Sequence, residues 1–393
     1  MKHQYRILTA VMIAAASLCA CQKEEQVQED PKIENYAIIH ETEFGGVYIK
    51  STIDDFNKLG FTYGDSVNVE FSNGFKLEDV PYYNGYYVDA GQPLLIAYPG
   101  YDYIKAAVNY GDDLWETAGL QQKNDPKLNL WLQSDLDEHD TASVYLNERG
   151  KYADIQAARD IHYYDERERY TTDEEFANFR SIYMGNLAEN RLYRSASPCD
   201  NQHNRAPYVD KLMEQAGVNG ILNLSDSHLK IRGYIEKENF DSPYFLSLYR
   251  NDKVIPLALN MNYLSDEFAV TVAQGITALT ETEPPYLVHC TEGKDRTGFV
   301  CMLVEALAGA EYQQIADDYM VTYDNYYGIT AESEPDKYKT ILEKNLDAMI
   351  HSIVGDDSVD ITTADLSAYA KNYLIKAGMS EEEISEFLSR ICD

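Results

Sequence analysis

Apolar and polar residues follow two different periods along this chain. In the first part the period is two. Val67-Asn-Val-Glu-Phe71 alternates, and Ser72-Asn73-Gly74 behind it marks a hairpin turn. A second turn is expected at Asn84-Gly85, within Pro81–Tyr87. Pro93-Leu-Leu-Ile-Ala97 predicts a buried strand, and Gly100 breaks the chain before Tyr101-Asp-Tyr-Ile-Lys-Ala-Ala-Val108. Leu128-Asn-Leu-Trp-Leu132 and Ala142-Ser-Val-Tyr-Leu146 predict closing strands. Short strands punctuated by Gly and Asn imply a small all-β, barrel-like or sandwich domain over residues 34–152. The stretch 150–170 is charged, as in Tyr164-Asp-Glu-Arg-Glu-Arg169, and predicts a linker or an exposed helix.

From residue 170 onward, strands alternate with helices. Ala206–Ala216 is amphipathic and stops at Gly217. Val218-Asn-Gly-Ile-Leu-Asn-Leu224 and the run from Tyr286 to His289 predict buried strands. Thr297-Gly-Phe-Val-Cys-Met-Leu-Val-Glu-Ala-Leu307 is apolar nearly all round, as a fully buried helix is. Glu311–Tyr323 is acidic and amphipathic. Thr363–Ala377 and Ser380–Ile391 predict a helical hairpin around Gly378, with a capping box at Ser380-Glu-Glu-Glu383. The expected fold class is therefore α/β: a central, mostly parallel sheet flanked by helices over 170–393, preceded by the β-rich domain. Ligands of such sheets bind beyond the carboxyl ends of the strands. Asp226 and Cys290 both follow such ends.

Between the strand at 286–289 and the helix at 297 lies Cys290-Thr-Glu-Gly-Lys-Asp-Arg296. A loop entering a helix N-terminus aims free N–H groups at one point and forms an anion site with the helix dipole. The same field favours the thiolate at Cys290, hence a nucleophile. Arg296 ends the loop with a planar fork suited to two phosphate oxygens. With His289, Thr297 and Gly298, the stretch resembles the signature loop of the cysteine-dependent tyrosine phosphatase superfamily. The form His-Cys-x-x-Gly-Lys-Asp-Arg-Thr-Gly is most similar to its bacterial atypical branch, which acts on phosphotyrosine, phosphoserine/threonine or phosphoinositides. That resemblance implies a phosphocysteine intermediate at Cys290, phosphate clamping by Arg296, and a Thr297 hydroxyl that helps the sulfur leave. Phe176–Arg180 and Asn190–Pro198 resemble the opening segment of the same family.

The supporting residues follow from this frame. Thr291, Glu292, Gly293, Lys294, Asp295 and Arg296 make up the phosphate-binding loop. Lys294 adds positive charge that favours phosphates beyond a single phosphotyrosine. Asp295 either orients water or holds the loop in shape by hydrogen bonding. His289 is expected to brace the Cys290 backbone. Arg194 either braces the site from outside or pairs with a local carboxylate. The general acid is expected at Asp226, with Asp252, Asp266 and Asp295 as alternatives. No metal or cofactor is expected, because Arg296 and the amides supply the stabilising charge. The expected substrate is a phosphorylated protein or a small phosphomonoester. The competing readings are a phosphoinositide or inositol-polyphosphate phosphatase and a surface protein that holds a phosphorylated ligand without turnover.

Composition narrows the partners. The 393 residues carry a formal charge of −33, which argues against nucleic acid and against charge-driven adsorption to anionic lipid. Residues 1–20 have a basic start at Lys2 and Arg6 and an apolar run from Ile7 to Ala16, the pattern of a signal peptide. Leu18-Cys19-Ala20-Cys21 resembles a bacterial lipobox, which implies lipidation of Cys21 and a membrane anchor; an ordinary secretory signal is the alternative. Residues 21–33 then form a polar linker. Gln22-Lys-Glu-Glu25 resembles the acidic tag of surface-exposed lipoproteins, and that resemblance implies a location in the bacterial cell envelope, at the outer membrane or cell surface. Cys199, Cys290, Cys301 and Cys392 show no disulfide framework, and the histidines no metal-ligand spacing. Gly91-Gln-Pro-Leu-Leu-Ile, Tyr98-Pro-Gly-Tyr, Ile104–Gly111 and Gly119-Leu120 resemble the C-terminal β-barrel of S-adenosylmethionine hydroxide adenosyltransferases, over roughly residues 60–147. The catalytic aspartates of that family have no counterpart here, so a structural or recognition role is expected.

Overall fold

The computed structural model describes residues 30–127, 139–161 and 164–393. The signal segment, Cys21 and the strand expected at Leu128–Leu132 lie outside the described residues. Pro31–Asp393 form one compact unit. Its N-terminal part is a closed barrel of β1 (Lys32–His40), β2 (Val47–Thr52), β3 (Ser66–Phe71), β4 (Lys76–Tyr83), β5 (Pro93–Ile96), β6 (Tyr103–Val108) and β7 (Thr141–Glu148). The order around it is β1-β2-β6-β5-β4-β3-β7, and β7 closes the ring by pairing with both β1 and β3. Alternation decides what fills it. Val67, Val69 and Phe71 are buried, while Asn68 and Glu70 between them are half-buried.

Asn84-Gly85 is a bend rather than a hairpin turn. β4 and β5 run parallel, with Tyr82 opposite Leu95, so residues 84–92 cross the outside of the barrel. Side chains hold that crossing in place. Tyr86, Tyr87 and Val88 pack with Leu94, Ile96 and Ala107 on the outer face of β5–β6. Tyr152 and Ile155, at the start of the charged stretch, join the same cluster. The helix Ala153–Arg159 is accordingly a packed one, with Gln156 and Arg159 buried.

The C-terminal part is built on a second sheet. It comprises β8 (Arg180–Ile182), β9 (Leu192–Ser195), β10 (Gly220–Asn223), β11 (Val254–Pro256) and β12 (Tyr286–His289), in the order β11-β10-β12-β9-β8. All pairs are parallel except the edge pair β8–β9. β12 is central, and all four of its residues are buried. Asn223 pairs with His289, and His289 with Ser195, so the chain leaves β10, β12 and β9 at one edge. The helix Asp295–Leu307 returns through the interior, with every residue from Thr297 to Leu307 buried. At about 1.5–3 kcal/mol for each large apolar side chain, that helix is a main anchor of the core. The helices Leu366–Lys376 and Glu381–Ile391 pack beyond it, and Ser380 and Glu383 form the capping box.

Candidate functional site

Cys290 is the first residue past β12 and is 3% exposed. The next residues wrap into a tight loop before the helix that begins at Asp295, whose start has no side-chain cap. The loop is shaped from outside. The carbonyl of Thr291 accepts from the Ser197 amide at 3.0 Å. The carbonyl of Glu292 accepts from the Tyr326 hydroxyl at 2.7 Å. The carbonyl of Gly293 accepts from Arg194 Nη2 at 3.1 Å and from Asn178 Nδ2 at 3.2 Å. In a trans peptide the carbonyl and the following N–H point in opposite directions. Three outward carbonyls therefore turn the amides of Glu292, Gly293 and Lys294 inward, where the helix dipole adds to their field. Gly293 has φ +70°, and a Cβ there would collide with the Ser195 carbonyl. Only glycine fits against the end of β9.

Arg194 fills both roles open to it. It is 1% exposed, donates to Asp318 Oδ2 at 2.7 Å and holds the loop carbonyl with its other nitrogen. Arg180 also grips Asp318, from Nε to Oδ1 at 2.8 Å. Burial works against the Asp318 charge, but the two guanidiniums outweigh it and hold this carboxyl at about 2. The loop thus rests on Arg194, which Asp318 holds in place together with Arg180.

Inside the loop, Arg296 is held by Nη1 donating to the Leu259 carbonyl at 3.0 Å, and its buried Nε has no partner among the described residues. Thr297 Oγ1 is likewise buried and unpartnered. His289 Nδ1 lies 3.0 Å from the Cys290 carbonyl, and burial pushes this imidazole down to about 4. It is neutral near pH 7, so Nδ1 carries the proton it donates. Lys294 lies 3.2 Å from the Tyr327 hydroxyl, 3.3 Å from Glu292 and 3.9 Å from Asp295. Asp295 is half-buried, and burial raises its carboxyl above the ordinary range; Lys294 opposes the rise and Glu292 adds to it.

Asp226 is placed at the same sheet edge but is enclosed. It is 1% exposed; Oδ2 accepts from Asn223 Nδ2 at 3.1 Å and Ser225 Oγ at 3.0 Å, and Oδ1 from the Tyr234 hydroxyl at 3.3 Å. A leaving oxygen could reach it only by displacing these donors. Its neighbour Asn223, at the end of β10, turns this carboxylate into an organiser of the β10 loop. Asp252, with φ +57°, lies before β11, away from the carboxyl ends, and Asp266 opens the helix Asp266–Leu279.

Tyr326 and Asp318 escaped the sequence reading, and Asn178 and Arg180 entered it only as part of the segment Phe176–Arg180, without a role at the loop. Tyr319, Tyr323 and Tyr326 are spaced as one helical face within Tyr312–Tyr327, and that stripe was the available signal for Tyr326. Among the described residues, no cluster of three or more His, Cys, Asp or Glu side chains could hold a metal ion. Cys199, Cys290, Cys301 and Cys392 are free thiols.

Comparison with known proteins follows this geometry. Among solved structures, P. aeruginosa TpbA in complex with phosphotyrosine is 18% identical, over 42% of this chain and 87% of that one, with a TM-score of 0.24. A second structure of P. aeruginosa TpbA is 17% identical over 44% and 92%, with a TM-score of 0.23. An uncharacterized conserved protein from Thermotoga maritima is 19% identical over 29% and 40%, with a TM-score of 0.19. No curated protein matches the chain. Residues 250–392, which include the whole loop and the C-terminal helices, match the model of the tyrosine phosphatase family.

Proposed function

We propose that the protein is a cysteine-dependent phosphomonoester hydrolase, a protein tyrosine phosphatase by first preference. One observation carries the reading. A loop whose carbonyls are tied outward surrounds two buried polar atoms without partners, Arg296 Nε and Thr297 Oγ1. Orphaned buried donors are costly, by about 1–3 kcal/mol each, and a phosphate held by Arg296 with a thiolate beside Thr297 would satisfy both.

In the first step the Cys290 sulfur attacks phosphorus in line. The P–S bond forms as the bond to the leaving oxygen breaks, while Arg296 and the inward amides hold the equatorial oxygens. The leaving oxygen takes a proton, and we assign that proton to Asp295. Its half-exposed carboxyl in the loop is biased toward the protonated form, whereas Asp226 is enclosed. In the second step water attacks phosphorus and gives its proton to Asp295. The P–S bond breaks, and the Thr297 hydroxyl donates to the departing sulfur. Inorganic phosphate leaves.

The test is turnover of p-nitrophenyl phosphate, its inhibition by vanadate, and the Cys290→Ser variant. Wild-type turnover that the variant lacks, with an unchanged thermal midpoint, supports the mechanism. Retained activity in a clean Cys290→Ser preparation refutes it. The acid assignment has its own test. Asp295→Asn should slow alkyl phosphates at least tenfold more than p-nitrophenyl phosphate, whose leaving group is stable unprotonated. If Asp226→Asn shows that selectivity instead, the acid is Asp226.

We further propose that Cys21 is lipidated and tethers the protein in the bacterial cell envelope, at the outer membrane or surface. Among the described residues, no helix is long and apolar enough to cross a membrane. Cys21→Ala should move the protein out of the membrane fraction, and continued membrane association would sink the anchor.

A further inference from the structure

Two residues near the meeting of the barrel and the C-terminal part hold a backbone conformation that L side chains avoid. Tyr110, two residues past β6, has φ +46°, and Ala258, two residues past β11, has φ +48°. In the left-handed region Cβ crowds the carbonyl, and for a bulky aromatic residue the conformation is an outlier. Such strain persists only where the surroundings impose it.

At Ala258 it is imposed by the end of β10. The amides of Leu257, Ala258 and Leu259 donate to the carbonyls of Asn223, Asp226 and Leu224 at 2.8, 3.2 and 2.8 Å. The turn leaves the Leu259 carbonyl to Arg296 Nη1, at 3.0 Å. A planar guanidinium held at Nη1 keeps its other edge, Nε with Nη2, for an oxyanion. Nε is the orphaned atom, and Nη2 lies 3.5 Å from Thr291 Oγ1. The strained loop after β11 therefore sets the direction of the arginine fork.

At Tyr110 the strain begins in the barrel. Asn109 is pinned to the segment that crosses from β4 to β5. Its carbonyl accepts from the Gly91 amide at 2.6 Å, its amide donates to the Gln92 carbonyl at 3.0 Å, and its Nδ2 donates to the Val88 carbonyl at 2.6 Å. The next residue turns away from the barrel, and its ring meets that of Tyr263 with centroids 5.0 Å apart. Glycine would take this conformation without strain, yet glycine stands one position later, at Gly111. Tyr110 packs with Ala90 against the core of the C-terminal part. Tyr263, 5% exposed, links both supports of the arginine. It belongs to the same loop as Leu259, and its ring stacks on Phe299 at 5.5 Å. Phe299 follows Arg296 by one turn in the helix Asp295–Leu307.

We propose that the barrel is a working part of the active site: Tyr110 is a positioning residue for Arg296, wedging Tyr263 so that the Leu259 carbonyl keeps the guanidinium fork aimed at the phosphate. The proposal rests on the phosphatase reading above. It accounts for the strain at both ends of the path, since a tyrosine at 110 and the turn at Ala258 are what bring the ring and the carbonyl to their places.

The experiment measures kcat/KM on p-nitrophenyl phosphate for the full chain with Tyr110→Phe, Tyr110→Ala and Tyr110→Gly, each also made in the Arg296→Lys background. Tyr110→Phe keeps the ring and should stay within about twofold of wild type. Tyr110→Ala and Tyr110→Gly should each fall about tenfold, because a shifted fork misplaces the phosphate. Glycine relieves the strain that alanine keeps, so Tyr110→Gly should melt above Tyr110→Ala while losing the same activity. In the Arg296→Lys background the same two changes should cost less than about twofold, because an ammonium has no fork to orient. Glu43→Ala, which breaks the 2.8 Å bridge from Lys230 elsewhere between the two parts, should stay within about twofold of wild type. A Tyr110→Gly variant with the wild-type rate overturns the proposal. So does one that does not fold, one whose loss persists in the Arg296→Lys background, or a Glu43→Ala variant that falls as far; each leaves the phosphatase reading standing. A wild type inert on every phosphomonoester, p-nitrophenyl phosphate included, refutes the phosphatase reading and this proposal with it.

Discussion

Replacing Gly293 by alanine tests the shape of the loop more directly than removing a charged side chain. Two costs arise. The residue sits at φ +70°, where an L side chain costs about 1–2 kcal/mol. The new methyl would also overlap the Ser195 carbonyl, which is backbone at the end of β9 and cannot swing away. The loop must yield instead, by about 1 Å, and a displacement of that size at reacting groups costs on the order of 100-fold in rate. Moving Gly293 also strains the bond from Arg194 to its carbonyl, a charge-assisted bond worth about 1.5–3 kcal/mol. The expected result is a stability loss of about 3 kcal/mol and a fall in kcat/KM of at least 100-fold. Gly217→Ala is the control. Its φ of +67° imposes the same strain, but nothing lies within 4 Å of its added carbon. That variant should lose only about 1–2 kcal/mol and keep its activity. Urea melts and steady-state assays on both proteins decide the matter. If Gly293→Ala melts like Gly217→Ala and turns over normally, the packing of the loop against β9 does not shape the site.

Arg296→Lys should retain under about 5% of wild-type kcat/KM, because an ammonium cannot hold both the Leu259 carbonyl and two phosphate oxygens; a near-normal rate would show that phosphate binds elsewhere. The pH dependence of stability should carry the signature of His289. Its folded value of about 4 lies below the unfolded 6.5, so the unfolded chain binds the proton more readily, and stability falls as pH drops below about 6.5 toward 4. The loss from this group should reach roughly 2 kcal/mol near pH 5. Denaturant melts of wild type and His289→Asn at pH 7 and pH 5 should differ in slope by that amount, and parallel pH slopes would exclude His289 as the source. Asp318 acts lower. Held at about 2, it contributes stability above about pH 4 that disappears as pH falls through 2, and Asp318→Asn should flatten that limb of the acid-unfolding curve.

Local chemistry was legible because local patterns carry their own period. Alternation at Val67–Phe71 selects a strand with one buried face, and the all-round apolar run Thr297–Leu307 can be stable only as an interior helix. Ser380 and Glu383 cap the last helix through contacts three residues apart, which any reader of the chain can count. Cys290, Arg296 and Thr297 belong to one short loop, so their convergence needs no long-range information. Asp226 was different. Its position after a strand was readable, but whether it opens to a ligand depends on Tyr234 and Asn223, which close over it only once the helix at 228–235 has packed. The donors that shape the loop, from Asn178 through Arg194 to Tyr326, come from 99 to 115 residues upstream and 34 downstream. The parallel β4–β5 pair was likewise set by an outer apolar face that no stretch of chain displays alone. Composition and spacing determined most elements and the loop that follows β12; the surfaces that met on folding decided that Asp226 is enclosed and which side chains tie the loop carbonyls outward. That division follows from the physics: hydrophobic periodicity is a property of a segment, whereas burial and hydrogen-bond partnership are properties of a contact between segments.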